Sequence, residues 1–311
     1  WDFVQSEDPN KKYMVPGTQD FWDWLLASSK RWGLTTYEQD WLNVEFNDVT
    51  ELNTNATLAR TWLMQMGAAA AKNNMGIQYC MTLVRHVMQS VEIPAVTQTR
   101  ASGDYAPGGE QWKVGTTSIF AHALGLAPSK DTYWSTTHQP GTKNYPTSFE
   151  PFNRLQQAAA TLSAGPVSPG DRIGLSNAPL IKTACMEDGT LLQPDEPAMT
   201  VDASFVQQAG LGPGPDGELL AAASTVAIVE ANATSTVTVV SGAESLMAKA
   251  CGKGDFQLYS IAPVLSSGYA FIGETAKVVP VNNARVLGVE STGSSLSVSL
   301  HGVPGETISV S

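Results

Sequence analysis

The chain has 311 residues, 42% of them hydrophobic and 15% charged, with a formal net charge of −11. This is the composition of a folded chain, and its length suits one large domain with a smaller one. An acidic chain without clustered Lys and Arg is ill-suited to nucleic acid, so the expected substrate is neutral or cationic.

In chain order, Thr18–Arg31 places Phe21, Trp22, Trp24, Leu25 and Leu26 at helical spacing, and Gly33 follows as a stop signal. Leu34–Gln39 reads as a short strand ending at Asp40. Thr57–Lys72 is rich in helix formers, Gly76–Thr82 reads as a buried strand, Arg85–Val91 as a helix and Ala95–Thr99 as a strand leading into Arg-Ala-Ser-Gly-Asp. Helices are then expected around 116–124 and 149–162, and a short strand near 165–167. Repeated strand-then-helix units of this length predict a parallel sheet, with a (β/α) barrel as its natural architecture. About five units fit, where a complete barrel of eight needs roughly 250 residues. The expectation is therefore the C-terminal portion of a TIM barrel over residues 1–200, its first strands lying on an N-terminal remainder of the same or another chain.

Beyond about residue 200 the texture changes to short β-branched segments separated by Gly, Ser, Asn and Pro. Strands are expected at 225–231, 236–241, 256–261, 270–273, 277–280, 284–289, 295–300 and 307–310, forming an antiparallel β-sandwich over 201–311. The Gly-Pro-rich stretch 210–217 reads as a loop close to the junction, and it lacks the Lys-Ser/Thr of a phosphate loop.

In a parallel barrel, acidic side chains at the carboxyl ends of strands face the substrate, and Asp40 and Asp104 both occupy such positions. Two carboxylates suit retaining glycoside hydrolysis, in which one attacks the anomeric carbon while the other protonates the leaving oxygen and then activates water. The competing reading is that each Asp caps the helix that follows it. His86, His122, His138 and His301 lack metal-ligand spacing and triad partners, so neither a zinc site nor a serine triad is supported. Trp41 and Trp112 suit stacking on a sugar face, or burial in a core. Tyr133 and Trp134 follow Asp131 at the end of another expected strand, where they would line the pocket. Cys80, at a strand end, reads either as pocket-lining or as a small buried apolar residue.

No apolar run is long enough to cross a membrane, and residues 1–12 resemble no signal peptide. Asn55-Ala56-Thr57 and Asn232-Ala233-Thr234 are N-glycosylation triplets and favour a secreted, extracellular or vacuolar/lysosomal glycoprotein. The three cysteines, Cys80, Cys185 and Cys251, allow at most one internal pair, for which Cys185–Cys251 is the first choice.

The run Ala95–Tyr105 (AVTQTRASGDY) resembles a segment of the raffinose synthase and alkaline α-galactosidase branch of glycoside hydrolase family 36. Thr36–Leu42 (TYEQDWL), Gly76–Thr82 (GIQYCMT), Ala164–Gly174 (AGPVSPGDRIG) and Met186–Leu191 (MEDGTL) resemble further segments of that family in the same order. Leu258–Gly273 adds a weaker echo. The resemblance implies an α-galactosidase-like hydrolase that acts on an oligosaccharide or glycan and needs no cofactor, with Asp40 as nucleophile and Asp104 as acid/base, their carboxyl groups about 5–6 Å apart. It further implies that Arg100 contacts a substrate hydroxyl and that Asp171 lies near the sugar, although a turn-capping role suits Asp171 equally. Gly103 stands where the family has an additional Asp, which leaves sugar specificity open. The alternatives are an α-galactosyl transglycosylase and a non-catalytic carbohydrate-binding or structural protein that retains the fold.

Overall fold

The computed structural model describes residues 1–11, 13–109, 114–140, 148–212, 218–220, 225–231, 237–241, 245–247 and 256–311. The chain divides into two compact units, one made of Trp1–Ser102 and Thr117–Ser129, the other of Gly103–Thr116 and Lys130–Ser311. The boundary expected from the texture of the sequence lies elsewhere, near residue 200.

The first unit opens with an antiparallel ribbon of β1 (Phe3–Gln5) and β2 (Met14–Pro16). Helix α1 (Gln19–Lys30) follows, then β3 (Thr36–Gln39), α2 (Leu42–Asp48), α3 (Thr50–Thr54) and α4 (Leu58–Lys72). Next come β4 (Gly76–Tyr79), α5 (Val84–Gln89), β5 (Val96–Arg100), α6 (Val114–Ala123) and β6 (Ala127–Ser129). Strands β3, β4, β5 and β6 form one parallel sheet in that order. Among the described residues this sheet has four strands and does not close into a barrel.

Side chains alternate across the sheet, and its two faces differ. On one face Ile77, Tyr79 and Gln39 are buried, within a core that includes Leu26 of α1 and Leu63, Met66 and Ala70 of α4. Burying each large apolar side chain contributes roughly 1.5–3 kcal/mol, so this layer fixes which way the sheet faces. Gly67 lets α4 approach closely: a Cβ there would lie 2.1 Å from Cγ2 of Ile93. The opposite face is polar, with Thr36 and Glu38 exposed and Gln78 and Gln98 half-buried. Parallel sheets are usually apolar on both faces, so the polar face is unusual.

In the second unit, α7 (Asn153–Leu162), α8 (Ala178–Ile181) and α9 (Asp202–Gln208) precede the strands. These are β7 (Glu218–Leu220), β8 (Val226–Glu230), β9 (Val237–Val240), β10 (Ser245–Met247), β11 (Tyr259–Pro263), β12 (Val286–Thr292) and β13 (Ser295–Leu300). They pair antiparallel as β10-β7, β11-β8-β9 and β12-β13. The chain is thus mixed α/β, with a parallel sheet and separate antiparallel sheets.

Several expected elements are not formed. Residues 165–167 contain no strand, and the nearest pairing is a single bridge from Tyr133 to Pro169. Strands expected at 270–273, 277–280 and 307–310 are irregular backbone. There Gly273 takes φ +91° and Pro280 has no N–H to give to a ladder. Ser311 nevertheless exchanges backbone hydrogen bonds with Ile272 and Gly273. Around them a buried ion cluster holds the segment together: Arg285, 0% exposed, donates to Glu274 at 3.1 Å and to both carboxylate oxygens of Glu306 at 2.6 and 2.8 Å.

Candidate active site

The carboxyl ends of the adjacent parallel strands β3, β4 and β5 carry Asp40, Cys80 and Arg100. The strand ends are locked in register, with the Cys80 N–H donating to the Gln39 carbonyl at 2.9 Å. The chain leaves two of the strands through left-handed backbone, Trp41 after Asp40 at φ +61° and Met81 after Cys80 at φ +48°. The two turns are tied by the Asn43 N–H, which donates to the Met81 carbonyl at 2.9 Å. Residues with a Cβ pay for this conformation in steric energy, and such backbone concentrates at functional sites.

Asp40 is half-buried. Its Oδ1 accepts the Trp41 N–H at 2.7 Å, and its charge acts on the Cys80 thiol. Cys80 is fully buried. Burial, followed by the neighbouring Asp40 carboxylate, pushes its thiol well above the ordinary range, with Arg100 opposing. Cys80 is therefore a neutral thiol and not a thiolate. Trp41 is 52% exposed, free of the core.

Behind Asp40 lies a second acid that the sequence did not reveal. Glu45 on α2 accepts from Nε2 of Gln39 at 3.0 Å; the same nitrogen donates to the Asp40 carbonyl at 2.9 Å, while Oε1 of Gln39 accepts the Tyr37 hydroxyl at 3.1 Å. Burial and then the Asp40 charge push the Glu45 carboxyl up to about 7, against the lowering effect of the Gln39 bond. Burial, with Glu45 beside it, pushes Tyr37 up to about 12. No helix was expected at residues 42–48, so Glu45 could not be placed beside Asp40 from the sequence. A Glu five positions after a strand-end Asp, at the start of an unrecognised helix, was the available signal.

The other expected residues belong to the second unit. Asp104 is exposed in the loop after β5, and its neighbour Tyr105 anchors that loop. The Tyr105 N–H donates to Asp131 at 2.6 Å, and its hydroxyl donates to Glu150 at 2.6 Å. Glu150, fully buried, also accepts the Gly108 N–H at 3.0 Å and the Phe152 N–H at 2.8 Å. Lys130 lies 4.9 Å from the Tyr105 ring centre; burial pulls its ammonium down to about 8, with Asp131 and Glu150 opposing. Trp134 is buried and meets Tyr105 edge-on at 5.9 Å, which makes it core.

Asp171 ties its loop to the segment 135–139. It accepts the Ser135 N–H at 2.8 Å, the Ser135 hydroxyl, and Nε2 of Gln139 at 3.0 Å. Gly170 before it is required by close packing, because a Cβ there would lie 2.2 Å from the Thr132 hydroxyl. Trp112, Asn232 and Cys251 lie outside the described residues. Cys185 is a buried thiol directed at the Ile181 carbonyl, and its expected pairing with Cys251 lies outside the described residues. His86 is structural: it is buried, its Nδ1 accepts the Leu83 N–H at 3.0 Å, and burial with Arg85 nearby pulls its pKa down to about 3.

Among the described residues no group of three or more His, Cys, Asp and Glu is arranged to hold a metal ion, and no helix is long and apolar enough to cross a membrane. No protein-family model matches the chain. A search of curated proteins returns no match to it.

Proposed function

We propose that the chain is part of a (β/α) barrel with an antiparallel β-sandwich, and that it acts as a retaining glycoside hydrolase on α-galactosides or related α-glycosides. The supporting observation is the row of Asp40, Cys80 and Arg100 at three successive strand ends, beside a sheet face lined with carboxylate, amide and hydroxyl groups. A neutral, hydroxyl-rich substrate suits such a surface. In this reading Asp40 attacks the anomeric carbon to give a glycosyl-aspartate, and Asp104 protonates the leaving oxygen and then takes a proton from water. A carboxylate has about four lone-pair positions. The Trp41 N–H therefore orients Asp40 and leaves lone pairs for attack.

Hydrolysis of an aryl α-galactoside by the purified protein, followed by NMR for retention at the anomeric carbon, tests this reading. Asp40→Asn and Asp104→Asn are each expected to abolish turnover; activity unchanged in either variant removes that residue from its role. A second reading, a non-catalytic carbohydrate-binding protein, is favoured by the Trp41 N–H already engaged by Asp40. Oligosaccharide binding with no turnover in the unmodified protein would decide for it.

A further inference from the structure

Of the two Asn-X-Thr triplets, Asn55-Ala56-Thr57 lies within the described residues and Asn232-Ala233-Thr234 does not. Asn55-Ala56-Thr57 forms the turn between α3 and α4 of the first unit, and residues 53–57 are exposed in succession. The core begins on either side of them, with Leu52 before the turn and Ala59 after it both buried. A bulky, hydrated group attached to this turn would stand on a stretch of surface and not in packed core.

The turn is set by Asn55 itself. Its Oδ1 accepts the Thr57 N–H at 3.0 Å, the Thr57 hydroxyl at 3.1 Å and the Leu58 N–H at 3.1 Å. The Leu58 N–H is one of the donors that the head of α4 leaves without a partner inside the helix, so the carboxamide oxygen stabilises the helix start. The other end of the same carboxamide is unused: among the described residues, Nδ2 of Asn55 donates no hydrogen bond. Asn53, two residues earlier and also exposed, differs on both counts. Its Nδ2 donates to the Phe46 carbonyl, and the residue two positions after it is Asn55, which has no hydroxyl. An N-glycosylation triplet needs an amide nitrogen to carry the sugar, a hydroxyl two residues on, and no Pro between them. All three conditions are met at Asn55, and a direct bond holds the Thr57 hydroxyl against the acceptor side chain.

Glycosylation uses the nitrogen of the carboxamide and spares its oxygen. Nδ2 attacks the anomeric carbon of an oligosaccharide carried on a lipid diphosphate. The nitrogen–carbon bond forms, the bond from that carbon to the diphosphate oxygen breaks with its electron pair leaving on the diphosphate, and the nitrogen gives up one proton. Oδ1 takes no part and keeps its three donors.

We propose that Asn55 is an N-glycosylation site, its Nδ2 carrying an oligosaccharide while its Oδ1 continues to hold the start of α4. The site is separate from glycoside chemistry and stands or falls without it. Its test is expression of the full chain behind a secretory leader in a eukaryotic cell. Peptides from the protein of cells and medium together are then weighed before and after peptide N-glycosidase treatment in heavy-oxygen water. The Asn55 peptide should carry hexose and N-acetylhexosamine, and the enzyme should return it as Asp bearing heavy oxygen. Thr57→Ser, which keeps the hydroxyl, should retain the glycan, and Thr57→Val, which keeps the shape without it, should abolish it. Amide exchange at Leu58 should differ by less than about threefold between the glycosylated chain and a glycan-free chain made in bacteria. An Asn55 peptide without glycan overturns the proposal, whether or not Asn232 is modified, and so does a glycan that Thr57→Val retains. A larger change in Leu58 exchange overturns the continued hold on α4.

Discussion

Two acids of this protein are perturbed in opposite directions, and their surroundings explain why. Glu306 faces Arg285, whose guanidinium holds its carboxyl down to about 2; a charged partner, a backbone N–H from Val303 and another from Glu187 all favour its ionised form. Glu45 has only the Gln39 amide, with Asp40 behind it, and burial drives its carboxyl up to about 7. The contrast separates charge used for cohesion from charge left under tension. The first cluster completes its own pairing, while the strand-end cluster holds an acid close to a proton it can gain or lose.

The largest effect expected from this contrast is at Asp40. Asp40→Asn should reduce turnover of an aryl α-galactoside by about a thousandfold or more, while calorimetric melting stays within a few degrees. A protein that instead melts early would move Asp40 into the cohesive class. Arg285→Met should do the reverse, because it strands two buried carboxylates; a loss of roughly 3–5 kcal/mol in denaturant unfolding is expected, with little change in activity per folded molecule.

Acid sharpens the same comparison. The folded pKa of Glu306, about 2, lies below its ordinary 4.5, so its contribution is full above 4.5 and is lost as pH falls toward 2. That contribution is roughly 3 kcal/mol. Glu306→Gln should therefore flatten the stability profile across that interval. Glu45 has the opposite sign: its folded pKa of about 7 lies above 4.5, so the protein is relatively more stable below 4.5 and loses this contribution as pH rises through 7. Glu45→Gln should gain roughly 3 kcal/mol relative to the unmodified chain at pH 8 compared with pH 4.5. Equal profiles for the two proteins would show that Glu45 carries no such tension.

The helices and strands of the first unit were largely legible, because apolar spacing in α1 and α4 and the short β-branched runs at β4 and β5 are set by the core they build. Helices α2 and α3 were not, since Leu42–Asp48 and Thr50–Thr54 mix polar residues at both faces and bury Leu42 and Leu52 alone. Strand β6 is three residues long and contains Pro128, which hides it from any periodicity. The strand-end row was visible as isolated residues, but the placing of Asp40 beside Cys80 at adjacent strand ends and the Gln39 bridge depend on parallel register, which sequence does not print. Asp171 and Trp134 looked available for substrate because their partners, Ser135, Gln139 and Tyr105, come from other segments of the chain.

The left-handed turns at Trp41 and Met81 have an engineering consequence. Glycine adopts such angles without penalty, whereas a side chain there costs roughly 1–2 kcal/mol. A glycine at either position is thus a route to a tougher protein, and whatever ability disappears with the exposed indole of Trp41 measures why the costlier residue is kept.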